Sequence, residues 1–151
     1  MSKSPILNKG LVMQIADAIP YVQFLGLQII SLERGRIEML LPWKEEFLGY
    51  GEIKNVNLAI IYGLFDSLSG AVVFSEIKEV MNIVTLSMRV DHISPPIYKK
   101  DIYASANLIK IDSDLAFVNF SAYQIENNLF AVGSANFKLH SSPLKTNNNV
   151  I

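Results

Sequence analysis

Cysteine is missing from this chain, and histidine nearly so, with only His92 and His140. Disulfides, thiol nucleophiles and Cys-ligated metal sites are excluded, and no His-rich metal cluster can form. Charge is scarce: 18 % of the residues are Asp, Glu, Lys or Arg, against about a quarter in an average domain. The net charge is −1 and no basic stripe runs along the chain, so the electrostatic signature of a nucleic-acid binder is lacking. No apolar run approaches the roughly 18 residues needed to span a bilayer. The opening MSKSPILNKG holds no long apolar segment and no small-residue cleavage site. A soluble, cytoplasmic protein with no metal site is the expectation.

What the chain does hold is apolar bulk. Half of its 151 residues are hydrophobic, and the length suits one domain. A small domain has much surface for its volume, and too few charges to cover it implies that part of it meets another subunit. A homo-oligomer is therefore expected.

The stretch 57–74, NLAIIYGLFDSLSGAVVF, dominates the pattern. It lacks proline, and its apolar residues circle the whole cylinder, which predicts a buried helix. Asp66 alone among them ionises. At about 100° per residue, Ala59, Tyr62, Gly63, Asp66, Ser69 and Gly70 share a small or polar face, opposite Ile61, Leu64, Leu68 and Ala71. Asp66 is then either a solvated, hydrogen-bonded carboxylate at a helix edge, or a carboxylate beside a ligand cleft where burial tunes its chemistry. Asn57 stands where a helix cap would stand.

Along the rest of the chain, residues 1–9 read as a loose arm. Residues 11–19 form a short amphipathic helix ended by Pro20. Residues 24–32 and 36–41 pair as a hairpin about Arg34-Gly35, and 43–54 is a loop. After the long helix the period changes from 3.6 to 2. Residues 83–93 alternate, with Val84, Leu86, Met88, Val90 and His92 on one face and Thr85, Ser87, Arg89 and Asp91 on the other; Ser94-Pro95-Pro96 ends the strand. Strands follow at 101–111, 115–126 and 129–139, with turns at Asp112-Ser113-Asp114 and Asn127-Asn128. The Asn-rich tail 141–151 reads as flexible. One domain, 10–140, is expected. Its class is α+β: an antiparallel sheet of five or six strands curled around one long helix, the hotdog arrangement.

Over roughly residues 18–139 the chain resembles the hotdog-fold acyl-CoA thioesterases of the phenylacetic-acid-degradation type. FLGLQIISLERGRIEMLLP looks like their opening hairpin, Val90-Asp91-His92-Ile93-Ser94-Pro95 like their strand end, and LFAVGSANFKL like their closing strand. The family's signature is His-Gly-Gly at the start of the central helix, with Asp or Glu nine residues after the His. Asp66 matches the acidic position, while Asn57-Leu58-Ala59 replaces His-Gly-Gly. The family's loop Asn falls on Gly51 or, with a shifted loop, on Asn55. A Ser or Thr ten residues before the strand-ending proline is matched by Thr85.

The resemblance implies an acyl-CoA or other acyl-thioester substrate, with coenzyme A as part of the substrate rather than a cofactor. It also implies a homodimer or dimer of dimers, and a site shared between two protomers. The catalytic candidates are Asp66, Asn57 and Thr85; the substrate-binding candidates are Asn55, Leu58, Ala59, Tyr62 and Gly63. Thioester hydrolysis passes through a tetrahedral oxyanion, which a helix N-terminus can stabilise. The Leu58 N–H would be that donor, Asp66 the general base or nucleophile, and Thr85 an orienter of water. Asn57 has no acid–base chemistry and serves either as a plain cap or as a hydrogen-bond donor to substrate. Thr85 also suits a half-buried strand on propensity alone. Tyr62 reads as a pocket wall, and His92 as a core or interface histidine. Leu58 and Ala59 add side chains where the family has glycine, which leaves open a non-catalytic acyl-thioester or fatty-acyl binder. A dehydratase is the weaker third reading, because that chemistry wants an acid–base pair.

Overall fold

The computed structural model of the protein describes residues 9–50, 54–78 and 81–140. Two short helices, α1 (Lys9–Ala18) and α2 (Pro20–Leu25), precede the hairpin β1 (Gln28–Glu33) and β2 (Arg36–Leu41). The long helix α3 (Leu58–Phe74) follows. The chain then runs through β3 (Asn82–His92), β4 (Ile102–Asp112), β5 (Leu115–Ile125) and β6 (Asn128–His140). All six strands join one antiparallel sheet in the order β1-β2-β4-β5-β6-β3. The expected class and wrapping are those observed. The arm at 1–8, Gly51 and the tail at 141–151 lie outside the described residues, and Lys9 belongs to α1.

Alternation builds the inner face of the sheet. Ile37, Met39 and Leu41 of β2, Ala104 and Ala106 of β4, Val118 and Phe120 of β5, and Ala135 and Phe137 of β6 are all buried in one cluster. Against them α3 buries Ile60, Ile61, Leu64, Phe65, Leu68, Val72 and Val73. The alanines of β4 and β6 let the helix approach closely, while Phe65 stacks on Phe120 at 4.2 Å between centroids. Gly133 faces that stack, and a Cβ there would lie 2.0 Å from the Arg89 carbonyl oxygen and 2.5 Å from the Phe120 ring. Truncating a side chain as enclosed as Leu64 to alanine costs about 2–5 kcal/mol in such cores.

Three expectations are corrected. The strand at 24–32 begins only at Gln28, because residues 20–25 are helical. Pro20 does not merely end α1. It starts α2, where its fixed φ is pre-organised and its missing N–H costs nothing. Val22 and Leu25 bury one side of that turn, and Gly26 ends it at φ 69°, with its N–H on the Gln23 and Val22 carbonyls.

The alternation of β3 changes hands part-way. Thr85 pairs with Phe137 and Ser87 with Asn136, so Leu86 is an extra residue in a β-bulge. Ile83 and Thr85 lie opposite the inward-facing Leu139 and Phe137 before the bulge, and Met88 lies opposite Ala135 after it. Val84 and Leu86, expected beside Met88, turn outward and are 48 % and 57 % exposed.

On α3, Ser69 is fully buried, and its hydroxyl finds no hydrogen-bond partner among the described residues. The open sector of the helix is centred nearer Gly63 and Gly70 than Asp66, which carries Ser69 past its edge. The smaller differences are local. The loop expected at 43–54 holds a 3-10 turn, Glu45–Phe47, and a bridge between Leu48 and Val56. The last hairpin turns one residue early, on Glu126 and Asn127, with Asn127 at φ 61°.

The outer face of the sheet is polar. Tyr123 donates to the Glu38 carboxylate at 2.6 Å and stacks on Tyr103. That hydrogen bond, then burial, pushes the Tyr123 phenol up to about 12. The unfolded phenol titrates near 10, so the folded state holds a proton that the unfolded state has lost between those values. The contribution is complete below about pH 10 and is lost as pH rises towards about 12. The gap in denaturation midpoint between wild type and Tyr123→Phe should therefore shrink across that window; a constant gap would exclude the coupling.

Candidate functional site

The open stripe of α3 carries the site. Leu58, Ala59, Tyr62 and Asp66 are exposed, and Gly63, Ser67 and Gly70 are half-buried. The Thr85 hydroxyl donates to Asp66 Oδ1 at 2.7 Å. This contact depends on the bulge at Leu86: an unbroken alternation from Met88 and Val90 would have turned Thr85 to the outer face. The other carboxylate oxygen of Asp66 has no protein hydrogen-bond partner among the described residues.

Asp66 and Thr85 border a hollow of about 330 Å³ beneath α1. Its remaining lining is almost wholly apolar: Val12, Ile15 and Ile19 above, Met39 and Phe137 from the sheet, Ile83 from β3, and Gly70, Ala71 and Phe74 along α3. Tyr21 and Ser67 are the other polar groups among the described residues. A cavity of this size, apolar with a few converging polar groups, has the character of a small-molecule site.

A second cleft, of about 440 Å³, lies at the start of α3. It brings Asn55, Val56 and Leu58 against His92, Ile93 and the Ser94-Pro95-Pro96 turn. The His92 ring lies 6.0 Å from that of Tyr62. The sequence-predicted residues thus fall into two groups on one helix. Asp66 and Thr85 meet at the hollow, Asn55 and Leu58 at the cleft, with Ala59, Tyr62 and Gly63 between them. Eight residues separate Leu58 from Asp66, which is about 12 Å along the axis.

Asn57 is a helix cap. Its Oδ1 accepts the Ala59 N–H at 2.9 Å, and its carbonyl accepts the Ile60 N–H at 2.9 Å. Leu58 itself is 52 % exposed, so its side chain stands over the helix start.

Sequence reasoning missed Tyr21 and the α1 residues over the hollow. Residues 20–25 hold no period-3.6 pattern long enough to separate from the strand expected after them, and only Pro20 followed by Gly26 signals the extra turn of helix.

The architecture now stands complete: one long apolar helix gripped by a six-stranded antiparallel sheet, with β3 added at the far edge. The chain has the hotdog fold. Solved hotdog structures superpose on it over most of their length. A thioesterase family protein from Silicibacter pomeroyi is 20 % identical, with a TM-score of 0.75 over 85 % of this chain and 94 % of that one. The E. coli PaaI protein from the phenylacetic acid degradation operon is 15 % identical, with a TM-score of 0.73 over 85 % and 93 %. A Shewanella oneidensis protein related to the thioesterase superfamily is 14 % identical, with a TM-score of 0.72 over 91 % and 100 %. No family model matches the chain, and no curated protein does. Within this hotdog domain, no helix among the described residues is long and apolar enough to cross a membrane.

The cap role of Asn57 generates a test. Asn57→Ala should destabilise the fold by about 1 kcal/mol, and Asn57→Asp should be nearly neutral. Chemical denaturation of both variants decides it; equal losses would mean that Asn57 is not acting as a cap.

Proposed function

We propose that this hotdog protein hydrolyses an acyl thioester, with Asp66 as general base or nucleophile. The observation that carries the reading is the Thr85–Asp66 hydrogen bond at the mouth of an apolar hollow. The carboxylate either takes a proton from a water that attacks the thioester carbonyl, or attacks the carbonyl itself. In both cases the C–S bond breaks and the thiol leaves with a proton; in the second case water then cleaves the acyl-aspartyl anhydride to release the acid and restore Asp66. Thr85 donates to Asp66, which holds the carboxylate in one orientation, and its remaining lone pairs can receive the attacking water. Thioesterases among the superposed structures support the same reading.

The oxyanion needs a donor within hydrogen-bond reach of the carbonyl that Asp66 addresses. The Leu58 N–H of the same chain is about 12 Å away along the helix and cannot serve both ends of one thioester. A second copy supplies the donor in this reading, with its helix start brought to the first copy's Asp66. The β3 edge suits such pairing: it has one strand partner, and Val84 and Leu86 leave apolar side chains exposed beside it. The assembly is a homodimer, or two such dimers joined, and coenzyme A is the thiol portion of the substrate.

One observation favours a second reading, a non-catalytic acyl-thioester binder. Leu58 and Ala59 carry side chains over the helix start, where a thioester would have to approach the backbone.

Asp66→Asn separates the readings. A hydrolase should lose about 100-fold or more in turnover of its best acyl-CoA, because a general base is gone, while the isosteric amide preserves binding. A binder shows no turnover above the uncatalysed rate even as wild type. Turnover that survives the substitution unchanged would remove Asp66 from the mechanism. Light scattering at micromolar concentration checks the assembly, and a monodisperse monomer would end the two-copy site.

A further inference from the structure

We infer that Tyr21 is a specificity-determining residue: it closes the groove on one side of Asp66, so that the hollow takes a linear aliphatic acyl group of up to about ten carbons. The inference rests on the hydrolase reading for the position of the thioester. It goes beyond that reading in naming the class of acyl group and the residue that selects it.

Along α3 the lining runs from Asp66 through Gly70 and Ala71 to Phe74, about 12 Å further along the helix axis. Ile15 of α1 and Ile19, between α1 and α2, roof the hollow, and Phe137 backs it. Beyond its mouth no charged group lines it among the described residues, so an ionised or strongly hydrated acyl group would find no partner among them. Its volume of about 330 Å³ is on the scale of about ten methylene-sized groups, which puts the expected limit within the medium-chain range.

On the other side of Asp66 the groove is filled. The Tyr21 ring lies directly on the α3 backbone at Gly63. A Cβ on Gly63 would stand 2.4 Å from Tyr21 Cε1 and 2.5 Å from its hydroxyl. That hydroxyl reaches the Ala59 carbonyl oxygen at 3.4 Å. The ring is supported from behind. It stacks on Phe24 at 5.9 Å, and Lys44 donates to the Phe24 carbonyl at 2.5 Å. Glycine at position 63 is therefore the condition for Tyr21 to sit where it does. With the groove blocked there, an acyl chain entering beside Asp66 has only the path beneath α1.

The test is a series of linear acyl-CoA esters from about four to about sixteen carbons, spanning lengths that fit and overfill the hollow. It measures kcat/KM with wild type, and affinity by calorimetry with Asp66→Asn. Both should peak at or below about ten carbons and fall about tenfold or more at sixteen. Tyr21→Ala reopens the groove and should raise the longest ester about tenfold relative to the eight-carbon one. Gly63→Ala displaces the ring from the opposite side and should act in the same direction, which covers the case in which Tyr21→Ala does not fold. Gly70→Leu fills the hollow instead, since a Cβ there meets only Ile83 at an ordinary 3.5 Å, and should shift the preference to shorter chains.

An unchanged chain-length profile in folded Tyr21 and Gly63 variants overturns the role of Tyr21. A flat profile in wild type overturns the hollow as the acyl site while leaving hydrolysis standing. Chain-length-dependent binding without turnover removes the hydrolase reading and keeps the inference. Neither binding nor turnover of any ester removes both.

Discussion

Phe65 of α3 lies flat on Phe120 of β5, and the rest of the molecule depends on that approach of helix to sheet. An α-helix this apolar has no stable place in water. Burial on the curved sheet removes most of its circumference from solvent, at about 1.5–3 kcal/mol for each large side chain enclosed. The contact also needs space. Alanines on β4 and β6, and Gly133 behind Phe120, hold the facing strands free of bulk where the helix presses in. The sheet therefore curves around α3, and only one stripe of the helix stays open.

That stripe is where chemistry can occur. A core this apolar accepts no unpaired carboxylate, so Asp66 can exist on α3 only at the boundary between core and solvent. Its partner arrives from the last strand added to the sheet. Among the described residues β3 pairs with β6 alone, and a strand with one free edge tolerates a bulge more readily than a central strand does. The extra residue at Leu86 lets Thr85 face inward and reach Asp66 while Val84 and Leu86 face out. One irregularity thus forms the polar pair and exposes the apolar edge next to it.

The helices before the sheet complete the enclosure. α1 covers the hollow beside Asp66, and α2 lays Tyr21 across the helix at Gly63. Tyr21 stands against the α3 backbone at Ala59 and Gly63, between the helix start and Asp66. In a fold shared by proteins that are only 14–20 % identical to this chain, such side chains are the natural place for differences in ligand.

The long helix, its Asn57 cap, the second hairpin strand and the last three strands were legible in the sequence because each is a local pattern. Uninterrupted apolarity, period-2 alternation and turn residues act over neighbouring positions, and they determined the class of the fold. Asp66 stood out for the same reason, as a lone charge in an apolar run. What tertiary structure decided is what depends on two segments meeting. The bulge in β3 is a matter of register against β6 and leaves no mark in the residues of β3 alone. The burial of Ser69 followed from where the sheet edge meets the helix, not from helical spacing. Residues 20–25 are too few to declare their own period, and they became helical because Val22 and Leu25 found the core and Gly26 could end the turn. The meetings of Thr85 with Asp66 and of Tyr21 with Gly63 span 19 and 42 positions; the family resemblance put Thr85 with Asp66, but no local periodicity reaches either distance, and packing decided both contacts.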